Sequence, residues 1–407
     1  MKILLYTQYF PPETNAPANR WGYFCDYLVK HGHEVFVLTS FPNHPLRKIF
    51  PGYKNRWFFQ EEKNGVKIFR TWTYIPSSTK FLPRLINYLS FVVSSYLNTK
   101  RIPAVDLIVI SLPSIFIGFS GWRIAHKRNI PIILDIRDLW PEAAQSTGYL
   151  KKGFIYWFFK QKAKNIYDSA NYLIVNSPAL KKHLVIDYGI SANKIAYLSN
   201  GVDLDLFNQE VDPSFIERQY NLFDTFIVSY IGLLGFAQNL EIIIETAKLL
   251  KDSKDIKFLV VGTGPLEQKL KVQAIKNKLN NIIFTGLVPH QDIPQYVHIS
   301  DVCLVLYKND PVFKENIPSK MFEYMAAKKP VIINLEGEAS RMLQEAQAGL
   351  LVEPDNPHSL KDAILKLKQD KFLREKMGLC GARYVETAFD KNDLSRQLIQ
   401  ILENVIS

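Results

Sequence analysis

The chain has 407 residues, 47% of them hydrophobic and 22% charged, with a net charge of +11. That length exceeds one hydrophobic core and that balance excludes disorder, so two domains of roughly 200 residues each are expected. The charge is uneven: 26 Lys and Arg stand against 11 Asp and Glu through Asn200, and 24 against 28 after it. Such an asymmetry points the first half toward an anionic partner, either nucleic acid or an anionic membrane surface. No nucleic-acid module is recognisable and the bases are mostly Lys set among aromatics, so nucleic acid is set aside.

The first strand candidate is Lys2–Thr7; its apolar run is too short for a secretory signal, and no run in the chain reaches the roughly 20 apolar residues needed to span a bilayer. Strands follow at Glu34–Thr39, Asp106–Ser111, Pro131–Asp135 and Asn171–Val175, with helices at Ala16–His31 and Ser114–Arg128 between them. Strand signals lapse over Asn200–Asn221 and then restart. Strands are expected at Phe226–Ile231, Ile256–Val261, Asn281–Thr285, Asp301–Leu306 and Pro330–Asn334. Helices are expected at Gln238–Lys251, Pro265–Lys278, Ser319–Ala327, Ala339–Ala346, Pro357–Gln369 and Lys391–Ile406. Short apolar strands alternating with amphipathic helices imply α/β architecture: two Rossmann-like, doubly wound parallel sheets in tandem, facing a central cleft. The expected divisions are residues 1–200, 201–385 and a terminal helix over 386–407 that packs back toward the first domain. Cys25, Cys303 and Cys380 are odd in number, far apart and without metal spacing, which reads as reduced thiols in the cytoplasm.

Two segments carry chemistry. Gly262-Thr-Gly-Pro265 lies between a strand and a helix, where glycines admit a ligand to the backbone and the helix start offers N–H groups to an anion. Taken alone it is equally a tight turn. No GxGxxG is present, which argues against a nicotinamide dinucleotide. The second segment is Glu315-Asn-Ile-Pro-Ser-Lys-Met-Phe-Glu323. Pro318 adjoins the helix start and Ser319 is the expected N-cap. One carboxylate before the helix can accept from sugar hydroxyls and one inside it can grip a ribose. Lys320 and the free N–H groups between them can hold a diphosphate.

The second half resembles, in order, the carboxyl-terminal domain of glycosyltransferase family 4, which has the GT-B fold. The segments are Asn200-Gly-Val-Asp-Leu-Asp-Leu-Phe207, Ser229-Tyr-Ile-Gly232, Val260-Val-Gly-Thr-Gly-Pro265, Phe284-Thr-Gly-Leu-Val288, Glu315 to Glu323, Lys329-Pro-Val-Ile and Gly349-Leu-Leu-Val352. The resemblance implies that Glu323 binds the ribose of a nucleotide and that Glu315 sits against the donor sugar. It also implies that Gly232, Gly262 and Gly264 line the nucleotide pocket and that Leu287 and Val288 meet the base. Family members typically retain anomeric configuration and use no metal or other cofactor. The family usually carries an Arg and a Lys after the strand that ends at Gly232, whereas this chain has Leu233 and Gln238. Two phosphates in a dry cleft need positive charge or many donors, so Lys320, the helix N–H groups and Gln238 are expected to take over.

The first half resembles the branch of that family that builds bacterial O-antigen, capsule or colanic acid, including transferases of N-acetylfucosamine. It does so through Tyr9-Phe-Pro-Pro-Glu13 with Ala16, Pro17 and Arg20, through Ser40-Phe-Pro-Asn-His-Pro45, and through Asp135-Ile-Arg-Asp-Leu-Trp-Pro-Glu142. Asn15, Arg20, His44 and Arg137 are candidates for contact with donor or acceptor sugar, and Asp138 is a candidate catalytic group standing where many members carry histidine. Phe81–Leu97 is apolar with few charges, and Lys151–Lys160 is aromatic with lysines at its borders, which suits the headgroup zone of an anionic bilayer. The expectation is a retaining glycosyltransferase on the cytoplasmic face of the inner membrane. It would move a sugar from a nucleoside-diphosphate sugar, a UDP-N-acetyl sugar such as UDP-N-acetylfucosamine, to a lipid-linked saccharide. The alternatives are a nucleotide-sugar 2-epimerase and a degenerate, non-catalytic nucleotide-sugar binder.

Overall fold

The computed structural model describes residues 1–78, 81–146, 150–209 and 211–406. It divides into two compact units: residues up to Asn200 together with those from Asn392 on, and Gly201–Lys391.

The first unit holds an eight-stranded sheet in the order β3-β4-β2-β1-β5-β6-β7-β8. Its strands are β1 (Lys2–Tyr6), β2 (Glu34–Ser40), β3 (Phe58–Lys63), β4 (Val66–Thr71), β5 (Leu107–Leu112), β6 (Ile132–Ile136), β7 (Tyr172–Val175) and β8 (Ile195–Tyr197). All neighbours are parallel except β3, which pairs antiparallel with β4. Alternate side chains serve two cores, as the pleat requires. Leu4, Tyr6, Ile108, Ile110 and Leu134 pack with the helices Phe81–Asn98, Ile115–Arg128 and Phe154–Ser169. Ile3, Leu5, Val109 and Ile133 pack with the helix Ala16–Lys30 and with Leu394, Leu398 and Leu402 of the helix Lys391–Ile406.

The second unit has six parallel strands in the order β11-β10-β9-β12-β13-β14. They are β9 (Phe226–Ile231), β10 (Ile256–Val261), β11 (Ile282–Gly286), β12 (Val302–Val305), β13 (Val331–Ile333) and β14 (Gly349–Leu351). Both sheets are Rossmann-like. Chain order reverses between β1 and β5 in one and between β9 and β12 in the other, and ligand sites in such sheets form beyond the carboxyl ends at those points.

Three features depart from the sequence expectations. The β3–β4 hairpin turns on Asn64 and Gly65, both at positive φ, a two-residue signal for a hairpin. The helix Lys371–Ala388 fills a stretch left unassigned; its Gly378 and Gly381 face Lys328 and Met325, so it lies close against the helix Ser319–Ala326. Ser319 is the first helical residue, not the cap. Pro318, fixed at φ −67° with extended ψ, occupies the cap position, and no side chain caps that turn.

The helix Phe81–Asn98 is inverted. Its buried residues are Asn87, Tyr88, Phe91, Ser94, Ser95 and Asn98. Leu82, Ile86, Leu89, Val93 and Leu97 form a stripe 41% to 61% exposed.

Candidate active site

In the second unit the loop after β9 and the loop after β10 are woven together by backbone. Gly232 N–H donates to Val261 O, Leu234 N–H to Thr263 O, and Leu266 N–H to Leu234 O. Gly232 and Gly262 have φ of +141° and +128°. A Cβ on Gly262 would collide with the Gly232 carbonyl, and one on Gly264 with the Leu234 carbonyl. These glycines therefore serve the approach of one loop to the other, beyond any approach of a ligand. Gly262→Ala should destabilise the protein by about 3 kcal/mol, from left-handed strain plus the clash, read as a lower midpoint in denaturant unfolding; an unchanged midpoint would show that the loops can part.

Lys320 follows the uncapped start of the helix Ser319–Ala326. Its Nζ stands 3.9 Å from the centre of the Tyr230 ring and 2.7 Å from where a Gly232 Cβ would be. The structure thus brings Lys320 to the loop where the expected Arg and Lys are absent. Burial pushes its pKa down to about 7, opposed by Glu323. Gln238 has its Oε1 buried against Gly235 and without a hydrogen-bond partner.

Glu315 ends the 3-10 turn Pro311–Glu315. That turn is fixed from the next loop: Gly337, at φ +127°, lies so close that a Cβ there would strike the Lys314 carbonyl, and Lys314 pairs with Glu336 at 2.9 Å. Glu323 lies within the helix, its Oε1 3.4 Å from His290 Nε2, and His290 in turn meets Phe207 edge-on. Pro289 separates His290 from Val288, which packs on the core, and from Leu287, which is exposed. The sequence reading stopped at Val288 and missed it, although Pro289-His290 completes the same loop.

In the first unit, a cavity of about 220 Å³ opens where β1, β5 and β6 end. Asn15, His44, Arg137 and Asp138 all line it. Arg20 does not. It is buried, donating to the carbonyls of Ser199 and Leu198 and to Asn200 Oδ1, and it lies 3.8 Å from Asp135. It ties the end of the unit to the strand carrying Asp135.

Asn15 caps the helix Ala16–Lys30 through Ala18 N–H, and its Nδ2 lies 3.4 Å from His44 Nδ1. His44 is held by its own N–H donating to Glu13 Oε1 at 2.8 Å. Burial and the charges of Arg84 and Arg47 push its pKa down to about 4, so the ring is neutral near pH 7. Asp138 lines the cavity; desolvation raises its pKa, and Arg137 and Arg84 oppose the rise. Arg84 and Tyr88 also line the cavity. Sequence reasoning missed both, because they lie in a stretch dominated by apolar residues.

Residues 18–206 match the family model described as Glycosyltransferase Family 4, and residues 214–383 match the one described as Glycosyl transferases group 1. The chain is a glycosyltransferase carrying these two domains in succession. It is 27% identical to WcaI of Escherichia coli (strain K12), a glycosyl transferase named for colanic acid biosynthesis, over 98% of this chain and 99% of that one. Solved structures share its fold. Sucrose-phosphate synthase from Thermosynechococcus elongatus has a TM-score of 0.78 at 19% identity, over 99% of this chain and 98% of that one. Anabaena HepE in complex with UDP has a TM-score of 0.72 at 19% identity, over 99% and 100%. The fold is GT-B.

Proposed function

We propose that the protein transfers a sugar from a nucleoside-diphosphate sugar held by the second unit to a saccharide acceptor held by the first. The observation that carries this reading is Lys320: a half-buried lysine at an uncapped helix start, beside Gly232, with Glu323 one turn along the same helix. The cation and the helix N–H groups suit a diphosphate, and Glu323 with His290 suits a ribose. Glu315 then stands against the donor sugar. The acceptor oxygen bonds to the anomeric carbon from the face that the diphosphate leaves. The bond from that carbon to the diphosphate breaks, and the acceptor proton passes to the departing phosphate oxygen, so configuration is retained. The protein's part is positioning and stabilising the charge on the leaving group. Uridine diphosphate is the favoured nucleotide, supported by the UDP complex of HepE. Within that class an N-acetylated 6-deoxyhexose such as N-acetylfucosamine is the leading candidate, on branch resemblance alone. Thermal-shift titration with UDP-, GDP- and ADP-sugars tests the reading: stabilisation by one nucleotide series is expected, and none by any series would refute it.

The acceptor is proposed to be a lipid-linked saccharide, on branch resemblance, and bacterial surface polysaccharide is favoured because WcaI is named for colanic acid biosynthesis. Among the described residues no helix is long and apolar enough to cross a membrane. The inverted stripe on Phe81–Asn98 and the exposed Phe154, Ile155, Trp157 and Phe158 instead offer an apolar face, with Lys151, Lys152, Lys160 and Lys162 around the second. Stronger sedimentation with phosphatidylglycerol vesicles than with phosphatidylcholine vesicles is expected. Trp157→Ser with Leu89→Ser should reduce it about tenfold, and equal binding to both vesicle types would sink the membrane assignment.

A further inference from the structure

The neighbours of His44 decide what its imidazole can do in the first-unit cavity. Asn15 is the N-cap of the helix Ala16–Lys30, and its Oδ1 accepts from Ala18 N–H at 2.9 Å. That bond fixes which way round the amide lies, because the reverse would set Nδ2 against a backbone N–H and forfeit the cap. The group that Asn15 presents to His44 is therefore its Nδ2, 3.4 Å from Nδ1. An amide nitrogen only donates, so Nδ1 is the accepting nitrogen of the ring. His44 is neutral near pH 7, burial having pushed its pKa down to about 4. A neutral imidazole carries a single ring N–H, and here that proton sits on Nε2.

The residue is held in place from two further sides. Glu13, 2% exposed, accepts through Oε1 from His44 N–H at 2.8 Å and from Asn43 N–H at 2.9 Å, and through Oε2 from Phe10 N–H at 3.3 Å. It clasps the loop after β1, which leads to Asn15, to the loop after β2, which carries His44. The Tyr9 ring lies 5.5 Å from the imidazole, centre to centre. Among the described residues none pairs with His44 Nε2, and His44, Asn15 and Tyr9 all line the cavity. A ring that is protonated on Nε2 and accepts from Asn15 on Nδ1 has no lone pair left to take a proton from a sugar hydroxyl. It can only donate, and what suits a donor is an oxygen lone pair of a hydroxyl, a sugar ring or a carbonyl.

We propose that His44 binds the acceptor saccharide as a hydrogen-bond donor, through Nε2–H to one of its oxygens, and not as a base. Asn15 and Glu13 are the positioning residues, the first setting the tautomer and the second the place of the loop. The inference rests on the reading that the first unit holds the acceptor, and it leaves the acceptor proton to the departing phosphate.

Asn15→Asp is the variant that separates this role from a structural one. Asp caps a helix as well as Asn does, but its carboxylate accepts where the amide donated, which draws the imidazole proton to Nδ1 and turns Nε2 into an acceptor. The full chain, with nitrogen-labelled histidine and saturated with UDP, is titrated by NMR with glucose, galactose, mannose, N-acetylglucosamine and glucuronate in turn. The His44 signals are assigned by their absence in His44→Gln. In the unaltered protein Nε2 should carry the proton, and its resonance should move with at least one sugar. Asn15→Asp should shift the proton to Nδ1 and weaken that sugar about tenfold or more, while UDP affinity and the unfolding midpoint hold. His44→Ala should weaken it as much, whereas His44→Gln, whose amide N–H can stand where Nε2–H stood, should stay within about threefold. Glu13→Gln should weaken it as well, and adding His44→Ala to Glu13→Gln should give less than the sum of the two losses. A proton on Nδ1 in the unaltered protein overturns the proposal. So does a sugar that binds without moving Nε2 and with equal strength in Asn15→Asp and His44→Ala. Failure of every sugar to bind overturns it together with the acceptor reading. If UDP itself fails to bind, the donor reading falls instead, and the same titrations without UDP still decide the role of His44.

Discussion

Glu315→Ala is expected to lower turnover about 100- to 1,000-fold, the scale on which removal of one electrostatic contact to the reacting centre is felt, with no loss of folded protein. The two halves of that expectation have separate causes. Glu315 lies at the end of a short turn whose position is set by backbone, through Gly337 against Lys314, and by the Lys314–Glu336 pair. Truncating the Glu315 side chain removes neither, so the folded state should persist, as a cooperative thermal unfolding transition will report. Steady-state kinetics should show the loss in turnover more than in the donor's KM, because the contact is proposed to matter most as the sugar separates from the diphosphate. Normal turnover would refute the assignment. Glu315→Gln, which keeps one acceptor oxygen and loses the charge, separates hydrogen bonding from electrostatics.

Lys320→Ala should weaken nucleoside-diphosphate binding about 10- to 100-fold and abolish its pH dependence. With a pKa of about 7 in the free protein, Lys320 is charged below neutrality and increasingly neutral above it. A bound diphosphate favours the charged form and so raises that pKa. Binding must therefore take up a proton above about pH 7, and affinity falls as pH rises there, whereas below pH 7 it is flat. Titrations on either side of neutrality, in buffers of different ionisation enthalpy, should show the proton uptake, and the variant should not. Stability runs the other way. A lysine whose folded pKa lies below its unfolded value costs the fold most below about pH 7, and the cost is relieved as pH rises toward the unfolded value. Lys320→Met should thus raise the unfolding midpoint of the ligand-free protein, chiefly at and below neutrality, while impairing donor binding. An unchanged midpoint with unchanged affinity would mean that the ammonium reaches solvent in solution.

The parallel sheets were legible because their strands are buried on both faces and so read as continuous apolar runs. Phe226–Ile231, Ile256–Val261 and the helix Pro357–Gln369 have the limits the pattern predicts. The elements that escaped lack that signal. β3 is an edge strand of sequence Phe-Phe-Gln-Glu-Glu-Lys, half of it polar and exposed. The helix Lys371–Ala388 buries only Gly378, Gly381, Ala382 and Val385, since closeness to its neighbour matters more there than apolar bulk. In the site, the segment Glu315 to Glu323 led to Lys320 and the family resemblance led to Gly232, but neither led to the fact that Gly262 is demanded by the Gly232 carbonyl. Arg84 and Tyr88 were hidden by the inversion of their helix, whose polar side faces inward. A hydropathy pattern records which residues are apolar, not which side of a helix meets the sheet.

The helix Lys391–Ile406 bears on how the chain acquires its structure. Leu394, Leu398 and Leu402 close the core that contains Ile3, Leu5, Trp21 and Phe24, and Tyr23 donates to Asn392 at 3.0 Å. On the ribosome those sixteen residues emerge only after all of the second unit has been made. The first unit therefore cannot follow the usual order in which an amino-terminal domain is finished first. It must wait with one face of its sheet covered only in part, by the helix Ala16–Lys30, until the helix Lys391–Ile406 arrives. The second unit, whose residues are contiguous, is the one able to complete itself during synthesis.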